Sequence, residues 1–243
     1  MMLKRLPTTA RRCANGEAGI TGLETAIILI AFVVVASVFA YTVLSAGIFS
    51  SEKSKEIVHS ALDEVRSTVV LRGGTVAYKD MVDTTGDKAG DTAAVVKIAL
   101  TLGSAVNGLP IDVTPPYKLN ATNGNLESSG LQNSLIISYL DDRQVLRDVA
   151  WTTAFTGSDD GDYSLESTEK ATITIYLVDY KYDATAGLYY DLGAGTSDPF
   201  MDTSANLLTA YQRFGLELIP VQGNALSIEK VAPQSLNDIM NLH

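Results

Sequence analysis

The sequence has very few of the residues from which proteins build disulfides, metal centres and acid–base sites. It contains one cysteine, Cys13, and two histidines, His59 and His243, in 243 residues. One thiol cannot form an intramolecular disulfide. Structural zinc centres built from four cysteine and histidine ligands are excluded, because the chain has only three such residues. A P-loop is absent too, and residues 193–198 (GAGTSD) lack the third glycine of a dinucleotide-binding fingerprint. These absences predict that the protein is not an enzyme and uses no cofactor.

Basic residues are scarce outside the N-terminal segment. The formal net charge at pH 7 is −10, but residues 1–19 carry four basic and one acidic side chain, a net of +3. The remaining residues therefore carry −13, from 14 basic and 27 acidic side chains. Because a surface this acidic repels phosphate backbones, we expect no nucleic-acid partner.

Charges of either sign are missing from a long segment near the N-terminus. From Thr25 to Ser51 there are 27 consecutive residues without a charged side chain. As a helix they would span about 40 Å, more than the ~30 Å hydrocarbon core of a bilayer, and they are apolar on every side. The basic segment in front of this run places the N-terminus in the cytoplasm and residues 52 onward outside. On hydropathy alone, a plain membrane anchor is the favoured interpretation.

The helical pattern continues beyond the apolar run. Val58, Leu62, Val65 and Val69 are spaced by four, three and four residues, as in one stripe of an amphipathic helix. Ser51 could cap or break the chain before this stripe, or the helix could run straight through. A continuous helix from about residue 20 to residue 68 would be ~73 Å long. That is longer than a membrane anchor requires.

Beyond Gly74, short runs of strand-forming residues alternate with turn residues. The strand candidates are residues 74–80, 93–103, 133–141, 144–151, 170–180, 214–221 and 225–233. Runs such as ATITIYL alternate apolar and polar residues, as strands with one buried face do. Seven to nine strands in about 165 residues predict an α+β chain, in which the long N-terminal helix precedes an immunoglobulin-like antiparallel β-sandwich.

Two loop segments contain candidate sites. Asp159, Asp160 and Asp162, near Glu166, offer carboxylates that could hold Ca²⁺, although their spacing is not that of an EF-hand and a solvated acidic turn is favoured. Asn120 begins the only N-x-S/T sequence of the chain and lies in a polar loop. It is therefore a candidate for N-glycosylation, with an unmodified turn asparagine as the alternative.

Glu24 borders the apolar run, where an unpaired carboxylate is costly in lipid. If the chain is cleaved after Gly19, in an accessible segment ahead of the helix, Ile20 carries a free amine one helical turn from Glu24. The amine and the carboxylate could then pair, within one subunit or between neighbours. A simpler explanation is that Glu24 lies near a helix N-terminus, where the helix dipole favours a carboxylate, and the two explanations are compatible.

Three segments carry a resemblance to a known family. The sequence EAG/ITGLETAIILIAFVVVA, with cleavage after Gly19 at the slash, resembles the class III leader of type IV pilin-like proteins. Residues 21–47, 97–113 and 214–242 resemble archaellins, the filament subunits of the archaeal flagellum; the resemblance is weak over 114–205. Such leaders commonly carry charge at both positions before the final glycine. Here Glu17 is followed by Ala18, which leaves Gly16 as an alternative cleavage site.

The resemblance implies three parts: a cleaved leader (1–19), a helix that anchors the precursor in the membrane and then forms the filament core (20–70), and an outer β-sandwich domain (71–243). It implies cleavage between Gly19 and Ile20 by a prepilin-type peptidase. Assembly would give an extracellular homopolymer through the N-terminal helices, or a polymer shared with paralogous archaellins. Glu24 and the small residues Ala36 and Ala40 would take part in helix docking.

The function that the resemblance implies is a subunit of the archaellum filament for swimming motility, and the acceptor sequence at Asn120 would make it a glycoprotein. Two alternatives from other classes stay open. The first is an archaeal type IV adhesion pilin, built on the same helix. The second is a membrane-anchored extracellular binding domain, which predicts an uncleaved leader and no polymer.

Overall fold

The computed structural model describes residues 18–66, 68–105, 110–194 and 198–242, and within the N-terminal helix it describes the side chains of residues 22–62. The chain divides into two compact units, with the boundary between His59 and Ser60. The described part of the first unit is helical. The second unit contains the end of the helix and all the strands.

The helix, α1, runs without a break from Ala18 to Arg66, a length of 49 residues or about 73 Å. Of the two possibilities at Ser51, the structure has the continuous helix, with both ends two residues earlier than expected. Its apolar half is rich in valine and isoleucine, which are only moderate helix formers in water. In lipid or among other helices, every backbone polar group must find a partner within the protein, and the helical backbone meets that requirement.

Beyond the helix, the described residues form sixteen strands. They are β1 (Val69–Leu71), β2 (Thr75–Asp83), β3 (Thr92–Ser104), β4 (Ile111–Asp112), β5 (Tyr117–Leu119), β6 (Leu126–Ser128), β7 (Ile136–Asp141), β8 (Val145–Leu146), β9 (Ala150–Phe155), β10 (Ser164–Leu165), β11 (Ala171–Tyr176), β12 (Asp179–Asp183), β13 (Gly187–Asp191), β14 (Arg213–Ile219), β15 (Leu226–Val231) and β16 (Ile239–Leu242). A 3-10 turn covers Ser204–Asn206.

Twelve of these strands belong to two larger sheets. The eight-stranded sheet has the order β12-β13-β2-β3-β11-β9, with β1 also paired to β3 and β16 to β2. The four-stranded sheet has the order β15-β14-β7-β8, and the remaining strands form the short ladders β4–β10 and β5–β6. Long, well-paired strands such as β3 and β11 hold the larger sheet together, with six consecutive residue pairs between them.

The two larger sheets share one hydrophobic core. In β14, Phe214, Leu216 and Leu218 are at most 1% exposed, whereas Gly215 and Glu217 between them face outward. Residues of β3 and β11 from the larger sheet belong to the same cluster, as does the fully buried Trp151. Because each sheet buries one face against the other, the domain is a β-sandwich. The predicted fold class, a long helix followed by a β-sandwich, is confirmed.

The strands that the sequence did not indicate are short. The predicted strands at 144–151 and 170–180 each contain parts of two strands, β8 with β9 and β11 with β12. The strands missed altogether, β1, β4, β5, β6, β10, β13 and β16, have two to five residues. Segments of this length are too short to show a period of two, and neighbouring strands fix their pairing.

Two further details differ from expectation. β13 pairs with β2 in parallel, through Tyr190–Val82 and Asp191–Asp83, so the larger sheet is mixed and not wholly antiparallel. Val69, assigned to the helical stripe from its spacing, is instead 2% exposed in β1, which pairs with β3. The expected boundary at residues 70 and 71 therefore falls inside a strand, because burial in the sandwich overrides the helical spacing. The division into three functional parts stays a prediction.

Candidate functional site

Residues 25–51 of the helix α1 present an apolar surface around the whole circumference. Every described side chain from Gly22 to Leu62 is exposed. Phe32, Phe39 and Tyr41 have exposed fractions of 72%, 68% and 72%. Soluble monomers rarely expose contiguous apolar patches larger than a few hundred Å². The helix is long and apolar enough to cross a membrane, and its surface requires either lipid or other helices around it.

Two hydroxyl groups inside the apolar run already have hydrogen-bond acceptors within the helix. Ser37 Oγ donates a hydrogen bond to the carbonyl oxygen of Val34 at 2.8 Å. Thr42 Oγ1 donates to the carbonyl oxygen of Phe39 at the same distance. These bonds stay within the helix, so transfer from lipid into a helical bundle leaves neither hydroxyl without a partner. The helix can therefore change its surroundings without a polar penalty at these two positions.

Ala36 and Ala40 are four residues apart and lie on one face of α1. Both are exposed. Their small side chains would allow another helix backbone to approach closely at this face. The part that Ala36 and Ala40 take in docking stays a prediction.

The second half of α1 has the amphipathic pattern that the sequence indicated. Lys53 Nζ lies 2.6 Å from Glu56 Oε2 on the polar side, an exposed pair that contributes little to stability. On the other side, Val58 and Leu62 have exposed fractions of 56% and 45%. This stripe extends the apolar surface beyond the length of a membrane span.

The expected cleavage site lies inside the helix. Gly19 and Ile20 belong to the first turn of α1, which begins at Ala18, whereas the sequence placed Gly19 ahead of the helix and Ile20 at its start. Cleavage thus requires the first turn to open. Terminal turns open at little cost, because the first four amides of a helix have no intrahelical acceptor. The alternative site, Gly16, and all other leader residues before Ala18 lie outside the described residues.

Glu24 lies in the second turn of α1 with an exposed side chain. It forms no ion pair with the residues that the structure describes. Its expected partner, the α-amine of Ile20, forms only on cleavage. Because the two residues are four apart in a helix, they lie on the same face. The helix places Glu24 where such a pair could form.

Asn120 lies where the β5–β6 hairpin turns, as expected of a loop residue. Its side-chain oxygen accepts the backbone N–H of Thr122 at 2.8 Å, and its Nδ2 donates to Glu127 Oε1 at 2.9 Å. The side chain is half-buried, and Thr122 is exposed. Since an amide nitrogen carries two hydrogens, the bond to Glu127 leaves one position for a glycosidic bond. Glycosylation of Asn120 stays a prediction.

The acidic loop brings together a different set of carboxylates from the expected one. Asp159, Asp160 and Glu169 have carboxylate oxygens within 4.8 Å of one another, and Glu169 is 6% exposed. Asp162 is not part of this group in the described residues; its Oδ1 accepts the N–H of Ser164 at 2.7 Å. Glu169 Oε2 accepts the backbone N–H of Glu166. Sequence spacing could not indicate Glu169, because a turn of the loop brings it back to the aspartates.

A buried carboxylate orders the loop between β2 and β3. Asp83 is 1% exposed and accepts the backbone N–H groups of Lys88, Gly86 and Thr85 at 2.6, 2.7 and 3.0 Å. Burial disfavours the charged form, but these bonds outweigh it and hold the pKa of Asp83 below its ordinary value. Lys88 Nζ also lies 2.6 Å from Asp183 Oδ2 at the end of β12. The loop is thus tied to the neighbouring hairpin.

The architecture has a solved counterpart. The chain is similar to a chain in the structure of the archaeal flagellum of Methanospirillum hungatei strain JF1, with a TM-score of 0.53 and 21% sequence identity, over 91% of this chain and 98% of that chain. At this level of identity the likeness shows the fold. With its β-sandwich and its exposed N-terminal helix, the chain has the architecture of a subunit in that flagellum.

Sequence relatives identify the family. The chain is 35% identical to Probable flagellin 1 of Archaeoglobus fulgidus over 95% of this chain and 98% of that protein. It is 29% identical to Probable flagellin 1 of Aeropyrum pernix over 90% of this chain and 93% of that protein. The family model of archaeal-type flagellin matches residues 19–230. The chain belongs to the archaeal-type flagellin family.

Proposed function

We propose that this protein is a subunit of the extracellular archaeal flagellum filament, the archaellum, and that it polymerises for swimming motility through its N-terminal helix. Membership of the flagellin family supports the first part. The observation that carries the second is the exposure of the whole apolar surface of α1. Burying apolar surface is favourable by about 25 cal/mol per Å² taken from water. Lipid covers this surface before assembly, and neighbouring helices cover it afterwards.

The role is structural. The family consists of filament subunits, and the features described above serve assembly. We infer that the protein has no enzymatic activity and requires no cofactor.

Processing by a prepilin-type peptidase releases the helix for assembly. Residues 1–19 carry four of the basic side chains of the chain. Removing them takes away the charges that hold the N-terminus on the cytoplasmic side, and it creates an amine at Ile20. This amine pairs with Glu24 of the same or a neighbouring subunit, which lowers the cost of burying the carboxylate among helices.

The filament contains many copies of this chain and can include related subunits. Archaeoglobus fulgidus has both a Probable flagellin 1 and a Probable flagellin 2 that are similar to this chain. Related subunits with similar apolar helices would be compatible with a common helical core.

N-terminal sequencing of shed surface filaments tests processing and polymerisation together. The filament protein should begin at Ile20. Gly19→Val should leave the precursor uncleaved and the cells without filaments, whereas the matched variant Gly16→Val should be processed normally. A filament protein that begins at Met1, or inside the apolar run, would overturn the proposal. A start at Glu17 would move the site to Gly16.

A further inference from the structure

Tyr211 adopts a conformation that is unfavourable for a bulky residue. It has φ +64° and an exposed fraction of 66%, in the turn before β14. This left-handed region suits glycine and asparagine, and a large side chain there is an outlier that often marks a functional position. Two thirds of the side-chain surface is exposed, so the ring is available to a partner outside the chain.

Hydrogen bonds hold the Tyr211 turn in place. The N–H of Tyr211 donates to the carbonyl oxygen of Ala232 at 3.1 Å. Gln212 Oε1 accepts the N–H of Thr209 at 2.7 Å and Arg143 Nη2 at 2.8 Å. Arg143 also donates to the carbonyl oxygen of Leu207 at 3.0 Å. The ring is thus presented from a fixed backbone, which limits the entropy lost when a partner binds.

Two exposed side chains lie beside the turn. Arg213 and Val231 are cross-strand neighbours at one end of β14 and β15, and both are exposed. Arg213 forms no ion pair within the described part of the chain. We call Tyr211, Arg213 and Val231 the aromatic end of the sheet. Tyrosine and arginine are the residue types that most often dominate binding energy at protein interfaces.

The other end of β14 has complementary character. Ile219 pairs with Ile136, and the two have exposed fractions of 39% and 43%. Val221, 74% exposed, lines a cleft of about 280 Å³ together with Pro110 and Asp112. We call Ile136, Ile219, Val221, Pro110 and Asp112 the cleft end of the sheet.

Asp112 carries a negative charge at the cleft end. Burial opposes its ionisation, but hydrogen bonds from Ser134 and Thr114 outweigh this and lower the pKa of Asp112. Asp112 forms no ion pair with a cation among the described residues. The seven residues of β14 separate the two ends by roughly 20 Å. The aromatic end therefore cannot fill the cleft end of its own sheet.

We propose that the aromatic end of one β-domain docks into the cleft end of a second copy of this chain, with Tyr211 against Val221 and Pro110 and with Arg213 beside Asp112. Each end is apolar with one unpaired charge, and the two charges are opposite. A contact between two different surfaces of the same chain repeats along a row of subunits, as a helical polymer requires. The proposal rests on polymerisation as proposed above and adds a contact outside the helices.

Site-directed cross-linking in filaments tests the contact. The only cysteine of the chain is Cys13, in the leader that we propose is removed, so the processed filament protein contains no native thiol. Filaments carrying Tyr211→Cys and Val221→Cys should give a ladder of dimers, trimers and larger species with a short bis-maleimide. Either single variant should stay monomeric on a denaturing gel, as should the control pair of Tyr211→Cys with Leu119→Cys, an exposed position on β5.

The outcomes separate this contact from polymerisation itself. Filaments that form normally but give no ladder would overturn the contact and leave the proposed function intact. A parent chain that is exported but forms no filaments would count against the proposed function.

A second measurement removes folding as an explanation. Asparagine suits the backbone of residue 211 better than tyrosine, so Tyr211→Asn should not harm the fold, yet its filaments should dissociate at a lower temperature than the parent filaments. Tyr211→Phe keeps the ring and should stay close to the parent. Filaments of Tyr211→Asn that are equally or more heat-stable would contradict the proposal.

Discussion

Individual residues of this flagellin show how polar groups are kept without cost in apolar or crowded surroundings. In α1, Ser37 and Thr42 bond to carbonyl oxygens of the preceding turn. In the sandwich, Asp83 is surrounded by the amides of its own loop. Both arrangements are local in sequence. They therefore survive a change in what surrounds the rest of the molecule.

Asp83→Asn should destabilise the β-domain. An asparagine keeps one acceptor oxygen but turns its amide group toward an N–H donor. At least one donor of these part-buried hydrogen bonds therefore loses its partner, at a cost of about 1–2 kcal/mol. Urea unfolding of residues 68–243 at pH 7 measures the difference. Asp87→Asn, in the same loop but exposed, is the matched control and should have little effect.

The effect of Asp83 should depend on pH in a defined direction. The folded pKa of Asp83 is lower than the ordinary value of 3.8. The stabilisation is therefore fully present above pH 3.8 and is lost as the pH falls through the folded pKa. The difference in the free energy of unfolding between the parent and Asp83→Asn should become smaller in acid. If this difference stayed constant down to the lowest pH measured, the charge of Asp83 would not contribute to the stability of the domain.

Asn120→Gln tests the glycosylation proposal. If Asn120 is modified, the intact mass of filament protein should exceed the mass of the processed chain, and the variant should lose the excess. Asn123→Gln, in the same turn but outside an acceptor sequence, should retain it. A parent mass equal to that of the unmodified chain would rule the glycan out.

Residue-level features were only partly predictable from sequence. The loop position of Asn120 followed from turn residues on both sides. The approach of Glu169 to Asp159 and Asp160 did not, because ten residues separate it from Asp159 and only the folded loop brings them together. The left-handed conformation of Tyr211 was also hidden, since tyrosine is not a residue that indicates such a turn.

At the scale of elements, periodicity decided what could be predicted. The apolar run and the following stripe extend over dozens of residues, and α1 was predicted to within two residues at each end. Strands with clear alternation, such as β11 and β14, were predicted as well. The parallel pairing of β13 with β2 could not be, because register and direction depend on contacts distant in sequence. Val69 shows the limit of spacing arguments, since it fits a helical stripe and lies in a strand.

Substitutions on the apolar face of α1 should abolish filaments. Ala36→Asp or Ala40→Asp would bury an unpaired charge among packed helices, at a cost of several kcal/mol. Ser54→Asp adds the same charge to the polar half of the helix and should be tolerated.

Glu24→Ala should do less harm than either alanine variant, because it removes a pairing partner and leaves the apolar surface intact. Electron microscopy of cell-surface filaments compares the four variants. If Ala36→Asp formed normal filaments, this face of α1 would not take part in the contact between helices.

The whole molecule combines a unit that cannot be stable alone in water with a unit that has its own core. Residues 71–243 carry 11 basic and 22 acidic side chains, a net of −11. Like charges on neighbouring domains repel at long range, although salt screens that repulsion. The proposed contact between the aromatic and cleft ends forms against this repulsion and covers only a small part of each domain. We therefore expect the helices to supply most of the free energy of assembly.

The most direct test of this account is the assembly state of the chain with and without its helix. Residues 68–243 keep β1 and all later strands, and this fragment should be a soluble, folded and largely monomeric domain by analytical ultracentrifugation. The processed full chain should form filaments under the same conditions in electron micrographs. If the fragment without the helix formed filaments of native width, the central claim that α1 drives polymerisation would be wrong.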